Sequence, residues 1–113
     1  MKTFKYAIEG IFHAIKQERN MKIHLVLLGV ASFMGFYFRI SNMEWIIQLL
    51  LFAMVIGTEM FNTSIERITD GIYKSFDPNA KVIKDVAAGA VLFIAMTALA
   101  IGCIIYLPKF DFI

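Results

Sequence analysis

Residues Val86 to Leu107 form 22 consecutive positions without a charge. At about 1.5 Å per helical residue such a run crosses a hydrocarbon layer about 30 Å thick. Lipid offers the backbone no hydrogen-bond partner, so a segment like this must close its own hydrogen bonds, and a lone segment does that as an α-helix. Composition extends the argument to the rest of the chain. Of its 113 residues 59% are hydrophobic and 18% charged, with a mean hydropathy of +0.71, which is far more apolar than a soluble domain of this size. The chain reads as a small all-α integral membrane protein, one membrane-embedded unit over residues 1–113.

Several classes are set aside at once. A net charge of +2 is too small to suggest a nucleic-acid partner. Cys103 is the single cysteine, which rules out an intrachain disulfide or a cysteine metal cluster. Charges are spread through the first twenty residues, so no apolar leader core and no cleavage site is expected there.

Over residues 2–19, Phe4, Ile8, Ile11, Phe12 and Ile15 recur at helical spacing, while Lys2, Lys5, Glu9, Lys16 and Gln17 keep largely to other faces. The pattern predicts an amphipathic helix lying on the membrane surface, with Tyr6 and His13 along it. Glu18-Arg19-Asn20 is expected to end that helix, and a polar hinge through Lys22 and His24 to lead into a first span over about 23–40. Arg39 can snorkel at its far end. Ser41-Asn42-Met43-Glu44 matches a capping box, which predicts a second helix from near Asn42, anchored at the interface by Trp45 and spanning about 43–70. Asp77 and Pro78 form an N-cap and N1 pair for a third span over 78–107, which Pro108 is expected to end. Ala87 to Ala90, together with Ala98 and Gly102, would let another helix approach closely.

The basic residues orient these spans. Lys2, Lys5, Lys16, Arg19 and Lys22 precede the first span, and Arg67, Lys74, Lys81 and Lys84 lie between the second and third. Only Arg39 and Lys109 fall on the other side. The positive-inside rule therefore places the N-terminus in the cytoplasm and the C-terminus outside.

On the second span, Glu59, Asn62, Glu66 and Asp70 fall within an arc of about 80° on one helix face. If Trp45 marks one interface, Glu59 is about 21 Å further on, inside the opposite leaflet, and Glu66 about 31 Å on, near the surface. A carboxylate at membrane depth faces a bundle interior, a wet cavity or a cation. None of G-x-x-x-x-G-K-[ST], G-x-G-x-x-G or H-E-x-x-H occurs, so the soluble phosphate-binding and zinc templates do not apply. Phosphoryl transfer needs carboxylates for Mg²⁺, a cation for the moving phosphoryl group and a base on the acceptor hydroxyl. Glu59, Glu18, Glu66, Lys84 and Asp85 supply those types. From the residues alone three readings stay open: a lipid-modifying enzyme, a small ion or solute transporter, and a structural membrane protein in which Glu18, Glu66 and Lys84 form interfacial salt bridges.

The run Glu59-x-x-Asn62-Thr63-x-Ile65-Glu66-x-x-x-Asp70, followed by Ala80-Lys81-x-x-Lys84-Asp85-Val86-Ala87-Ala88-Gly89-Ala90-Val91, resembles the prokaryotic diacylglycerol kinase family. Glu18-Arg19-Asn20 and His24 look more like its Gram-positive branch, the undecaprenol kinases. The resemblance covers nearly the whole chain. It implies a surface helix plus three spans in the bacterial inner membrane, ATP with Mg²⁺, and a homotrimer whose active sites are shared between subunits. It places the catalytic, lipid-contacting base on Glu59 and the metal-binding carboxylates on Glu18 and Glu66. Nucleotide contacts fall on Tyr6, Glu18, Asn62, Glu66, Asp70, Ser75, Phe76, Asp77, Lys84 and Asp85. It further implies a terminal lipid hydroxyl as acceptor, undecaprenol before diacylglycerol. Phe33, Phe36, Phe52 and Met60 are expected among the apolar walls that meet the lipid. A basic residue that precedes the surface helix in longer relatives has no counterpart here.

Overall fold

The computed structural model describes residues 2–110. They form four helices: α1, Lys2–Gln17; α2, Arg19–Phe38; α3, Asn42–Ile72; and α4, Pro78–Phe110. The last three are long and apolar enough to cross a membrane.

The chain turns between α1 and α2 at a single residue. Glu18 is extended, with φ −105 and ψ 120, yet its N–H still donates to the Ala14 carbonyl and its own carbonyl accepts from Lys22 N–H. The hinge expected over Lys22 to His24 is therefore helix, and α2 begins at Arg19. The backbone favours this solution because a polar hinge at the edge of the hydrocarbon would leave N–H and C=O groups unbonded. Asn20 and His24 consequently stand one turn apart on a common face.

At its other end α2 stops at Arg39, which adopts the left-handed conformation with φ 52 and ψ 55 and donates its N–H to the Gly35 carbonyl. For a residue with a Cβ that conformation costs about 1–2 kcal/mol. The cap offsets it by serving a terminal carbonyl. Ile40 and Ser41 complete the turn. Glu44 N–H donates to Ser41 Oγ at 3.1 Å and Ser41 N–H to Glu44 Oε1 at 2.9 Å, so the capping box starts α3 where the sequence predicts it. Across this turn the Trp45 ring lies on Gly35: a Cβ there would meet the indole Cη2 and Cζ2 at 2.7 Å.

α3 runs 31 residues, about 46 Å, and Tyr73 N–H closes it on the Thr69 carbonyl. Asp77 Oδ1 then accepts from Asn79 N–H at 2.8 Å, which caps α4. Pro108 does not end that helix. The last turn continues to Phe110 because it is held from the side, by Lys109 Nζ on Glu44 Oε2 at 3.1 Å and by the Phe110 ring against Phe38. One missing N–H near a helix end is tolerable under such contacts.

α3 and α4 are the most closely packed pair. At the end bearing the α2–α3 turn, Ile40, Ile105 and Tyr106 form the buried centre, surrounded by Met34, Phe38, Trp45, Ile47 and Ile101. Elsewhere large apolar side chains such as Phe33, Phe36 and Phe93 point outward.

Candidate functional site

The opposite half of the bundle holds the acidic face, and its centre is Glu59, only 2% exposed. Three helices line an open cavity of about 240 Å³ beside it. Asn20, Ile23 and His24 of α2, Glu59 and Asn62 of α3, and Ala88, Val91, Leu92 and Ala95 of α4 line that space. The four α4 residues repeat at i, i+3, i+4 and i+7, one helix stripe, and the two alanines leave the room. One wall is therefore polar and the other apolar.

Glu59 Oε2 has no hydrogen-bond partner among the described residues. The nearest basic nitrogen is His24 Nε2, at 3.5 Å. Asn62 Nδ2 donates to Glu66 Oε1 at 3.1 Å, which leaves Asn62 Oδ1 unpaired, and Thr63 Oγ1 is unpaired as well. Buried polar atoms without partners are costly. Two of these residues, Glu59 and Asn62, line the cavity, and an arriving hydroxyl would find an acceptor on Glu59.

Further along the same face, Lys84 Nζ bonds Asp70 Oδ1 at 2.8 Å and ties the end of α3 to the start of α4. Asp85 turns away from Lys84 and pairs with the exposed Lys81. The face thus has three levels, Glu59 with His24, Asn62 with Glu66, and Asp70 with Lys84, over about 16 Å of helix. Exposure rises along it, from buried Glu59 through half-buried Glu66 to exposed Asp70. Such a gradient can hold an apolar acceptor at one end and a charged donor at the other.

The remaining predicted residues stand apart from the cavity. Glu18 is half-buried at the α1–α2 break, Tyr6 is exposed on α1, Ser75 and Phe76 are exposed in the α3–α4 connection, and Asp77 is engaged in capping α4. Among the described residues no three His, Cys, Asp or Glu side chains gather as a metal cage. Mg²⁺ commonly takes one or two carboxylates and completes its shell with phosphate oxygens and water. Glu66, half-buried and held through Oε1 by Asn62, suits that kind of ligation.

Asn20 and His24 escaped the sequence reading as cavity residues, because a hinge was expected where α2 is helical. Their i, i+4 spacing would have been the signal once helix was assumed. Ala88 was legible only as a small residue, without the cavity it opens, and Ala95 was not singled out.

Comparison with known proteins gives three matches. The family model for prokaryotic diacylglycerol kinase matches residues 5–106. The chain is 38% identical over 108 residues to the undecaprenol kinase of Bacillus subtilis (strain 168), covering 96% of this chain and 88% of that one. It is 32% identical over 111 residues to a diacylglycerol kinase of Synechocystis sp., covering 94% of this chain and 61% of that longer protein.

Proposed function

The chain belongs to the prokaryotic diacylglycerol kinase family, and from that membership we propose that it is a membrane lipid kinase that uses ATP and Mg²⁺ to phosphorylate undecaprenol. Diacylglycerol is the second candidate acceptor. The observation that carries the reading is Glu59, a buried carboxylate on a membrane-depth cavity. In this reading the acceptor hydroxyl enters the cavity and gives its proton to Glu59 while its oxygen bonds to the γ-phosphorus of ATP. The bond from that phosphorus to the bridging oxygen breaks, and ADP leaves. Base assistance of this kind contributes about 10²–10⁴ in rate.

Lys84 would meet phosphate oxygens as a compact cation, with Asp70 fixing its ammonium. Mg²⁺, held by Glu18 and Glu66, would neutralise charge on the phosphates. Asn62 would position Glu66, and Tyr6, Ser75, Phe76, Asp77 and Asp85 would contact the nucleotide from the rim. Three spans are too little protein to enclose both a nucleotide and a lipid, so neighbouring subunits of a homotrimer would complete each site. The basic residues favour a cytoplasmic N-terminus and nucleotide site and an external C-terminus, in the bacterial inner membrane. The exposed Phe4, Ile8, Ile11 and Phe12 of α1 would rest on lipid as an amphipathic surface helix. Residues 1–113 then act as one membrane-embedded kinase domain.

The preference for undecaprenol rests on Glu18-Arg19-Asn20 with His24, and on the higher identity to the undecaprenol kinase. Purified protein in mixed micelles with labelled ATP should transfer label to the lipid phase, with a higher kcat/KM for undecaprenol than for diacylglycerol. The reverse ratio would make it a diacylglycerol kinase. Solute flux without lipid labelling would overturn the kinase assignment. Glu66→Gln should raise the Mg²⁺ concentration needed for half-maximal rate, and an unchanged requirement would remove Glu66 from the metal site.

A further inference from the structure

We infer that His24 is a positioning residue for Glu59, holding one carboxylate oxygen so that the other faces the acceptor hydroxyl. The inference rests on Glu59 as the base. Glu59 Oε2 is buried and unpaired, and His24 Nε2 lies 3.5 Å from it. A shift of about half an ångström would bring the pair to ordinary hydrogen-bond distance, and catalytic hydrogen bonds are often long before substrate binds.

The other groups around the cavity leave this task to His24. From α4 come only Ala88, Val91, Leu92 and Ala95, none of which donates from its side chain. On α3 the Asn62 amide nitrogen is given to Glu66. From α2 come the apolar Ile23 and Asn20, whose amide makes no hydrogen bond to Glu59 Oε2. α1 contributes no residue to the cavity lining. A carboxylate with both oxygens free to rotate would spend much of its time aimed away from the hydroxyl, and a fixed donor on one oxygen removes that freedom. His24 is itself mostly covered, its side chain 15% exposed, so its ring is held by packing.

A role in positioning predicts a split between kinetic constants. His24→Leu should lower kcat by about tenfold or more while KM for ATP and for lipid stays within about twofold. His24→Gln, whose amide can donate to the same oxygen, should recover most of that loss. In a Glu59→Gln background, His24→Leu should have no further effect on rate. A raised KM with unchanged kcat, or equal losses in the Leu and Gln variants, would overturn the inference. Glu59→Gln activity near wild type would instead remove the base itself, a separate failure. A second measurement needs no turnover. With His13→Gln leaving His24 as the one histidine, the ¹⁵N resonance of its Nε2 at fixed pH should move when Glu59→Gln is added to the assembled protein. An unmoved resonance would show that the two side chains do not interact and would overturn the positioning role.

Discussion

Two polar clusters lie among the apolar helices, and they are finished differently. At the end bearing the α2–α3 turn, Tyr106 Oη donates to Gln48 Oε1 at 2.6 Å, and Gln48 Nε2 donates to the Ala31 carbonyl at 3.2 Å. A phenol has one proton, and the short contact to Gln48 takes it. Both ends of the Gln48 amide are engaged, and three helices are tied together. In the other half, Glu59 and Asn62, both on the cavity, each keep a buried atom without a partner. The lesson is about what polar groups do in an apolar bundle. Where they hold structure they bond one another, and where they are left open, with a cavity beside them, they are placed for something that arrives.

The largest expected effect sharpens this contrast. Glu59→Gln should reduce kcat for lipid phosphorylation by about 10²–10⁴ with no fall in thermal stability, since the amide keeps the shape of a side chain that makes no hydrogen bond through Oε2. Loss of stability with retained activity would invert the assignment of the two clusters. Micelle kinetics and a thermal melt on the same preparation decide it.

Gly35→Ala tests the packed end. The new methyl would meet the Trp45 ring at 2.7 Å, and overpacking of that kind costs about 1–3 kcal/mol. The melting temperature should fall while kcat, measured well below it, holds. A fall in kcat at full folding would mean that the two ends are coupled.

Tyr106→Phe deletes the donor to Gln48 and leaves an acceptor unpaired at a site 7% exposed. Side-chain hydrogen bonds between membrane helices contribute about 0.6–2 kcal/mol, so denaturant resistance should drop by that order with kcat retained. A loss of activity comparable to Glu59→Gln would break the division into holding and reacting clusters.

The smallest effect belongs to Lys109→Gln. Its partner Glu44 also bonds Ser41, and both charges are partly exposed, so the pair should contribute less than about 1 kcal/mol. A melt in low and high salt should show a small difference that salt erases. A large loss would place the hold on the last turn of α4, past Pro108, in this contact rather than in the Phe110–Phe38 packing.

Local chemistry made much of this molecule legible in sequence. The charge-free run required a membrane helix, Ser41 with Glu44 marked the start of α3, Asp77 with Pro78 marked that of α4, and helical period put Glu59, Asn62, Glu66 and Asp70 on one face. These are relations between residues at most a few turns apart, which one helix enforces by itself. The three-dimensional arrangement alone decided what meets across helices: Glu59 with His24 over 35 positions, Asp70 with Lys84 over 14, Gln48 with Tyr106 over 58. It also turned an expected hinge into the first turns of α2 and carried α4 past Pro108. Periodicity says which face a side chain occupies. Crossing geometry, set by how the side chains of all the helices pack together, says which face it meets.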